Sequence, residues 1–134
     1  MRRPGATNYI GRVSPLAEAS LSPVERRAVE RAVAALRETL GGDLISVWLY
    51  GSRARCEPPR PESDVDLLVL TRAGRSDLDR VSRAVWDVML GSGDDVVPLS
   101  AKVFDPQWLA QRRDVESFFI QEVDRDKIVL FGEP

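Results

Sequence analysis

The chain has 134 residues, 43% of them hydrophobic and 30% charged, with a formal net charge of −2. That length supports one domain with a real core, and the near-balance of charge excludes wholesale neutralisation of nucleic-acid phosphate, which needs a clear excess of Lys and Arg. Histidine is absent and Cys56 is the lone cysteine, which excludes a Ser-His-Asp triad, a zinc site built on His or several thiolates, and an intrachain disulfide.

Any metal chemistry must therefore use oxygen ligands, a donor set that suits Mg²⁺ or Mn²⁺ better than zinc. Lys102 and Lys127 are the only lysines; arginine, a bidentate phosphate binder, carries the remaining positive charge. The opening stretch MRRPGATNYIGRVSP is basic but has no apolar core of a signal peptide. No apolar run approaches the roughly 20 residues of a membrane span, so the expected location is cytoplasmic.

Residues 1–21 lack periodicity and carry Pro4, Gly5, Gly11 and Pro15. They read as an arm or tail, with the domain proper over 22–134. SPVERRAVERAVAALRETLGG predicts a helix: Ser22 is the N-cap, Pro23 the first helical residue, and Glu25 completes a capping box. Val29, Val33, Leu36 and Leu40 form its apolar face, and Gly41–Gly42 end it. DLISVWLY (43–50) and DVDLLVL (64–70) read as strands, the second with both faces covered. RSDLDRVSRAVWDVMLGSG predicts a helix capped by Ser76. DDVVPLSAKVF (94–104) is a strand candidate whose Pro98 demands a sheet edge or a bulge. Asp105 caps a short helix opened by Pro106, VESFFIQEVDRD continues as helix with Val115, Phe118, Phe119 and Val123 apolar, and KIVLFGE is a last strand or extended tail. Short and long connections mixed in this order predict an α+β domain with a mixed sheet.

The chemistry gathers in GSRARCEPPRPESDVDLLVL (51–70). Side chains alternate along a strand, so Asp64 and Asp66 share a face, roughly 6–7 Å apart, and repel unless a cation relieves them. A hard divalent ion does so. The plainer alternative has Asp64 ending the strand and Asp66 at a solvated sheet edge. Against that alternative stands Gly51–Ser52, a strand-ending turn whose N–H groups and hydroxyl suit an anion, with Arg53 and Arg55 following as phosphate clamps.

The stretch YGSRARCEPPRPESDVDLLV resembles the signature of the DNA polymerase β-type nucleotidyltransferases, in particular the minimal nucleotidyltransferases: Gly-Ser, a spacer, then Asp-x-Asp. The resemblance runs from about Ser46 to Phe104, and RDKIVLFGE is similar to the family's usual close. It implies a polymerase β-like α+β core, with Gly51, Ser52, Arg53, Arg55 and Ser63 around the triphosphate of an NTP, expected to be ATP. It also implies that Asp64 and Asp66 hold two Mg²⁺ ions with a third carboxylate. Asp95 is the best candidate for that third acid, with Asp94 and Asp105 behind it; in another strand register Ser100 stands where the acid belongs. The implied activity is transfer of an NMP group, AMP above all, to a hydroxyl. Members of the family pair with a helical HEPN-type protein as antitoxin and toxin, so the acceptor is expected on such a partner, or bound with a second subunit of this chain. A non-catalytic antitoxin that keeps the fold, and transfer to a small molecule such as an antibiotic, are the alternatives; the short chain argues against the latter. The family's usual glycine after GSRAR is Cys56 here, read as a partly buried small side chain rather than a reactive thiol. Trp48, Trp86 and Trp108 are expected in the core, as is the Phe118–Phe119–Ile120 cluster, part of which could face a partner.

Overall fold

A computed structural model describes residues 19–55, 64–91, 93 and 96–134. Residues 1–18, and with them most of the expected arm, lie outside the described residues. The capping box forms as its sequence dictates: the Ser22 hydroxyl accepts the Glu25 N–H at 3.1 Å, and the Ser22 N–H donates to Glu25 Oε1 at 2.9 Å. These bonds satisfy two of the donors that a helix start leaves orphaned. Helix α1 (Pro23–Leu40) follows and buries Ala28, Val29, Ala32, Leu36 and Leu40 along one stripe.

Strand β1 (Leu44–Tyr50) pairs antiparallel with β2 (Val65–Thr71) and, on its other side, with β4 (Ile128–Gly132). Between β2 and its parallel neighbour β3 (Leu99–Phe104) runs α2 (Leu78–Leu90), giving the sheet order β3-β2-β1-β4. Pro98 thus precedes an edge strand, and its carbonyl accepts the Val65 N–H at 2.9 Å. One sheet face, with Val47, Leu49, Val65, Leu67 and Val69, packs on α1 and α2. The opposite face sets Trp48, Tyr50, Leu68 and Leu70 against α3 (Pro106–Asp114) and α4 (Phe118–Asp126). β2 is therefore covered on both sides, which is why its interior tolerates an unbroken apolar run. The fully buried Trp48 keeps its indole satisfied, Nε1–H donating to the Glu133 carbonyl at 2.7 Å.

Several elements depart from the sequence reading. α2 begins at Leu78, after a tight turn over Gly74–Asp77, and Ser76 does not cap it. Gly74 at φ 59° and the Thr71 hydroxyl, which accepts the Gly74 N–H at 2.8 Å, bend the chain first. Trp86 is 56% exposed because the buried stripe of α2 is Val81, Ala84 and Val85, which turns position 86 outward. Trp108 is half-buried and stacks on Phe104. Glu116, at φ 53°, breaks the phase between α3 and α4, so α4 buries Ile120 and Val123 while Phe118 is left 86% exposed.

The turn after β1 is tied to the start of α1. Arg53 is buried, its guanidinium 2.7 Å from Glu25 Oε2; the Ser20 N–H donates to the Arg53 carbonyl at 2.8 Å. Ala19 and Leu21 pack on the core beside it. Burial pushes the Glu25 carboxyl up, but the Ser22 N–H and Arg53 together outweigh this and hold it below the ordinary 4.5. A carboxylate with a lowered folded value stabilises fully above its unfolded value and loses that contribution as pH falls through the folded one. Glu25→Gln keeps the capping bond and removes the charge, leaving the buried guanidinium its bond to the Ser20 carbonyl but not its ion pair; it is expected to cost about 2 kcal/mol in urea unfolding at pH 7. The difference from the wild type should shrink below pH 4, and a pH-independent difference would show that the ion pair is not its source.

Candidate active site

The antiparallel register of β1 and β2 places Tyr50 opposite Asp66, and Gly51 turns the chain immediately after. Gly51 has φ 81°, and a Cβ there would stand 2.9 Å from Asp66 Oδ2. The left-handed backbone and the missing side chain are both required, because the turn's backbone lies against the carboxylate itself. The amides of Ala54 and Arg55 close the turn onto the Gly51 carbonyl at 3.1 and 3.3 Å. Ser52 is half-buried at its head.

Asp64 is exposed just before β2, and Asp66 is half-buried one pleat later. Asp66 shares its face with Tyr50, Leu68 and Leu70, so the pair lies at the end of the sheet face that α3 and α4 cover further along. Burial and then the Asp64 charge push the Asp66 carboxyl above the ordinary aspartate value, against a smaller pull from Lys102 and Arg53. Burial, with the Asp66 charge added, raises the Tyr50 phenol. Two like charges, one of them half-desolvated, are the donor set expected of a site that gains by taking a hard cation. The approach of Asp66 to a glycine turn that carries the Ser52 hydroxyl fits a metal carried by a phosphate.

The structure brings Gly51, Ser52, Asp64 and Asp66 to one end of the sheet. Arg53 and Arg55 flank the turn but contact the fold: Arg53 faces Glu25, and Arg55 Nη1 is 3.9 Å from Asp126 Oδ2. Ser63, Cys56, Asp94 and Asp95 lie outside the described residues. Asp105 is removed from the candidates for the third acid. It follows Phe104, which pairs with Leu70 at the far end of β2, and there it accepts the Trp108 N–H at 2.7 Å and packs against Gly74. On β3 the residue level with Asp66 is Ser100. Among the described residues, no group of three or more acidic or cysteine side chains is placed to share a metal.

Tyr50, Lys102 and the Glu25 partner of Arg53 were not assigned from sequence. The position before Gly-Ser marks Tyr50 once the two strands are paired in register. Lys102 shares parity with Ser100 along β3, a signal visible only with the strand's start fixed. A groove of about 660 Å³ opens at the opposite end of the sheet, lined by Leu70, Arg72, Leu109, Arg113 and Glu133 among others. It excludes both carboxylates and so lies apart from the Gly51–Asp66 end. Among the described residues, no helix is long and apolar enough to cross a membrane.

No family model matches the chain, and no curated protein does. Among solved structures it is similar to two mutant forms of the toxin-antitoxin MntA-HpeT. One is 18% identical, with 78% of this chain and 72% of that chain covered and a TM-score of 0.48. The other is 16% identical, with 78% and 73% covered and a TM-score of 0.49. A candidate nucleotidyltransferase from Sulfolobus solfataricus is 17% identical, with 93% and 94% covered and a TM-score of 0.44. The function has to be read from the site.

Two substitutions test the geometry. Gly51→Ala forces a left-handed backbone on an L-residue, at about 1–2 kcal/mol, and drives a methyl into Asp66; reduced stability and weakened Mn²⁺ binding are expected together. Asp66→Asn removes a carboxylate whose charged form the fold disfavours. Because its folded value is raised, its penalty grows as pH rises through the unfolded value and is complete at neutrality. Asp66→Asn should therefore raise the melting temperature at pH 7 and lose that advantage in acid. It should also abolish the Mg²⁺-induced stabilisation that the wild type is expected to show. A destabilised Asp66→Asn would show that the carboxylate is structural.

Proposed function

We propose that this protein is a Mg²⁺-dependent nucleotidyltransferase of the minimal type, moving AMP from ATP to a hydroxyl. The observation that supports it above the others is the contact between the left-handed Gly51 turn and Asp66, with Asp64 one pleat away. It sets an anion-binding backbone against a cation-binding pair, which is what a metal–triphosphate requires.

The backbone N–H groups and the Ser52 hydroxyl of the turn hold the β- and γ-phosphates. Asp64 and Asp66 would ligate the Mg²⁺, and bound there the metal supplies positive charge to the phosphoryl group and its leaving oxygen. The acceptor oxygen bonds to the α-phosphorus as the α–β bridge breaks. Pyrophosphate leaves, and the hydroxyl proton passes to a carboxylate or to solvent. Asp95 is proposed as the third acid, and the segment Val96–Pro98 that follows it enters β3 at the Asp64 end of the sheet. The acceptor is proposed to lie on a HEPN-type partner protein, this chain acting as its antitoxin. That part rests on the resemblance of residues 50–69 to the minimal nucleotidyltransferase signature. A cytoplasmic location goes with this proposal.

One observation favours a second reading. The place on β3 level with Asp66 is filled by Ser100 rather than an acid, as in a binding module that keeps the nucleotide site and neutralises its partner by contact. Incubation with α-labelled ATP, Mg²⁺ and the protein encoded beside it separates the two. Label on the neighbour, lost in Asp64→Asn, is the expected result. Tight association without label selects the contact antitoxin, and absence of any metal-dependent ATP binding overturns both.

A further inference from the structure

Of the two arginines in the turn, Arg53 is committed to the fold, 4% exposed and paired with Glu25. Arg55 is exposed and leans toward Asp126, 3.9 Å away, rather than toward Asp66. A triphosphate seated on Gly51–Ser52 still needs a mobile cation from the protein, since backbone donors carry no net charge. The exposed cation that acts on Asp66 comes from the other side of the site, on the edge strand β3.

Ser100 is level with Asp66 and Lys102 with Leu68, so Lys102 follows Ser100 on the face that carries the carboxylate. Leu68 beneath it is fully buried and apolar, and offers the ammonium nothing. The Lys102 side chain is exposed at the sheet margin, with a four-carbon stem able to lie over that apolar surface and carry its charge toward water and the carboxylates. Its pull on the Asp66 carboxyl exceeds that of buried Arg53.

The geometry points to Lys102 as a triphosphate-contacting residue of this site, a role that rests on the nucleotidyltransferase reading. In the ligand-free protein its ammonium is the counter-charge to Asp66. When a metal-bound triphosphate takes over that carboxylate, the ammonium is released to the phosphate oxygens on the β3 side. Lysine suits this task better than arginine would, being a compact point charge on a flexible stem.

The test uses the full chain, with Mn²⁺ alone followed by electron paramagnetic resonance and with Mn²⁺ plus a fluorescent non-hydrolysable ATP analogue. Lys102→Ala is expected to weaken the analogue about tenfold or more, the size of one lost charge-assisted hydrogen bond. Mn²⁺ alone should bind as well as to the wild type or better, because a competing cation is gone from Asp66. Lys102→Arg should recover most of the analogue affinity. An analogue affinity within about twofold of wild type in Lys102→Ala, or equal losses of Mn²⁺ and analogue with a lowered melting temperature, overturns the role. The parent reading fails differently, and before any Lys102 variant is made: the wild type would bind no analogue with Mn²⁺, or Asp64→Asn would bind it equally well.

Discussion

Everything in the candidate site depends on how close the backbone after β1 comes to the side chain of Asp66. Tyr50 and Asp66 are cross-strand partners, so the next residue must reverse direction in the space beside a carboxylate. A Cβ there would press the Asp66 carboxylate aside, and the φ of 81° is one that glycine adopts without strain. The glycine turn and the aspartate pair are thus not two motifs that happen to be near. They are the two strands of one antiparallel pair, and shifting that pair by a residue would carry Asp66 to the opposite face and dissolve the site.

Around that contact the protein arranges its charges unequally. Glu25 and Arg53 are neutralised by each other and by α1's capping bonds, so they can be buried and can fix the turn. At Asp66 burial and the Asp64 charge outweigh the pull of Lys102 and Arg53, leaving it with a raised affinity for protons. A carboxylate pair left in that balance is where a bound cation would gain most. The second arginine follows the same logic, since Asp126 on α4 draws Arg55 toward the fold rather than the turn.

Local signals made most of the architecture legible. The capping box at Ser22 and Glu25, the parity of Asp64 and Asp66 and the glycine turn each depend on neighbours within a few residues and formed where their patterns stood, while the strand expected over 94–104 starts only at Leu99, after Pro98. What sequence could not reach was set by pairing and phase. Glu25 finds Arg53 only once α1 is laid beside the turn, and Ser100 meets Asp66 only once β3 chooses its register. Phe118 was expected inside because its neighbours are apolar, yet the left-handed Glu116 rotates the face that α4 buries. Spacing along a helix names a stripe; it does not name which way the stripe turns after a break.

The register of β3 carries the remaining weight. A parallel edge strand contributes one residue level with Asp66, and here it is a serine followed, one pleat on, by a lysine. A carboxylate at that level would add negative charge and draw a second metal ion; a hydroxyl and an ammonium do neither. The ammonium instead lowers the net negative charge beside Asp66, and the hydroxyl leaves it unchanged. An aspartate pair with a serine and a lysine beside it on β3 therefore carries less negative charge than three carboxylates at this end of the sheet would.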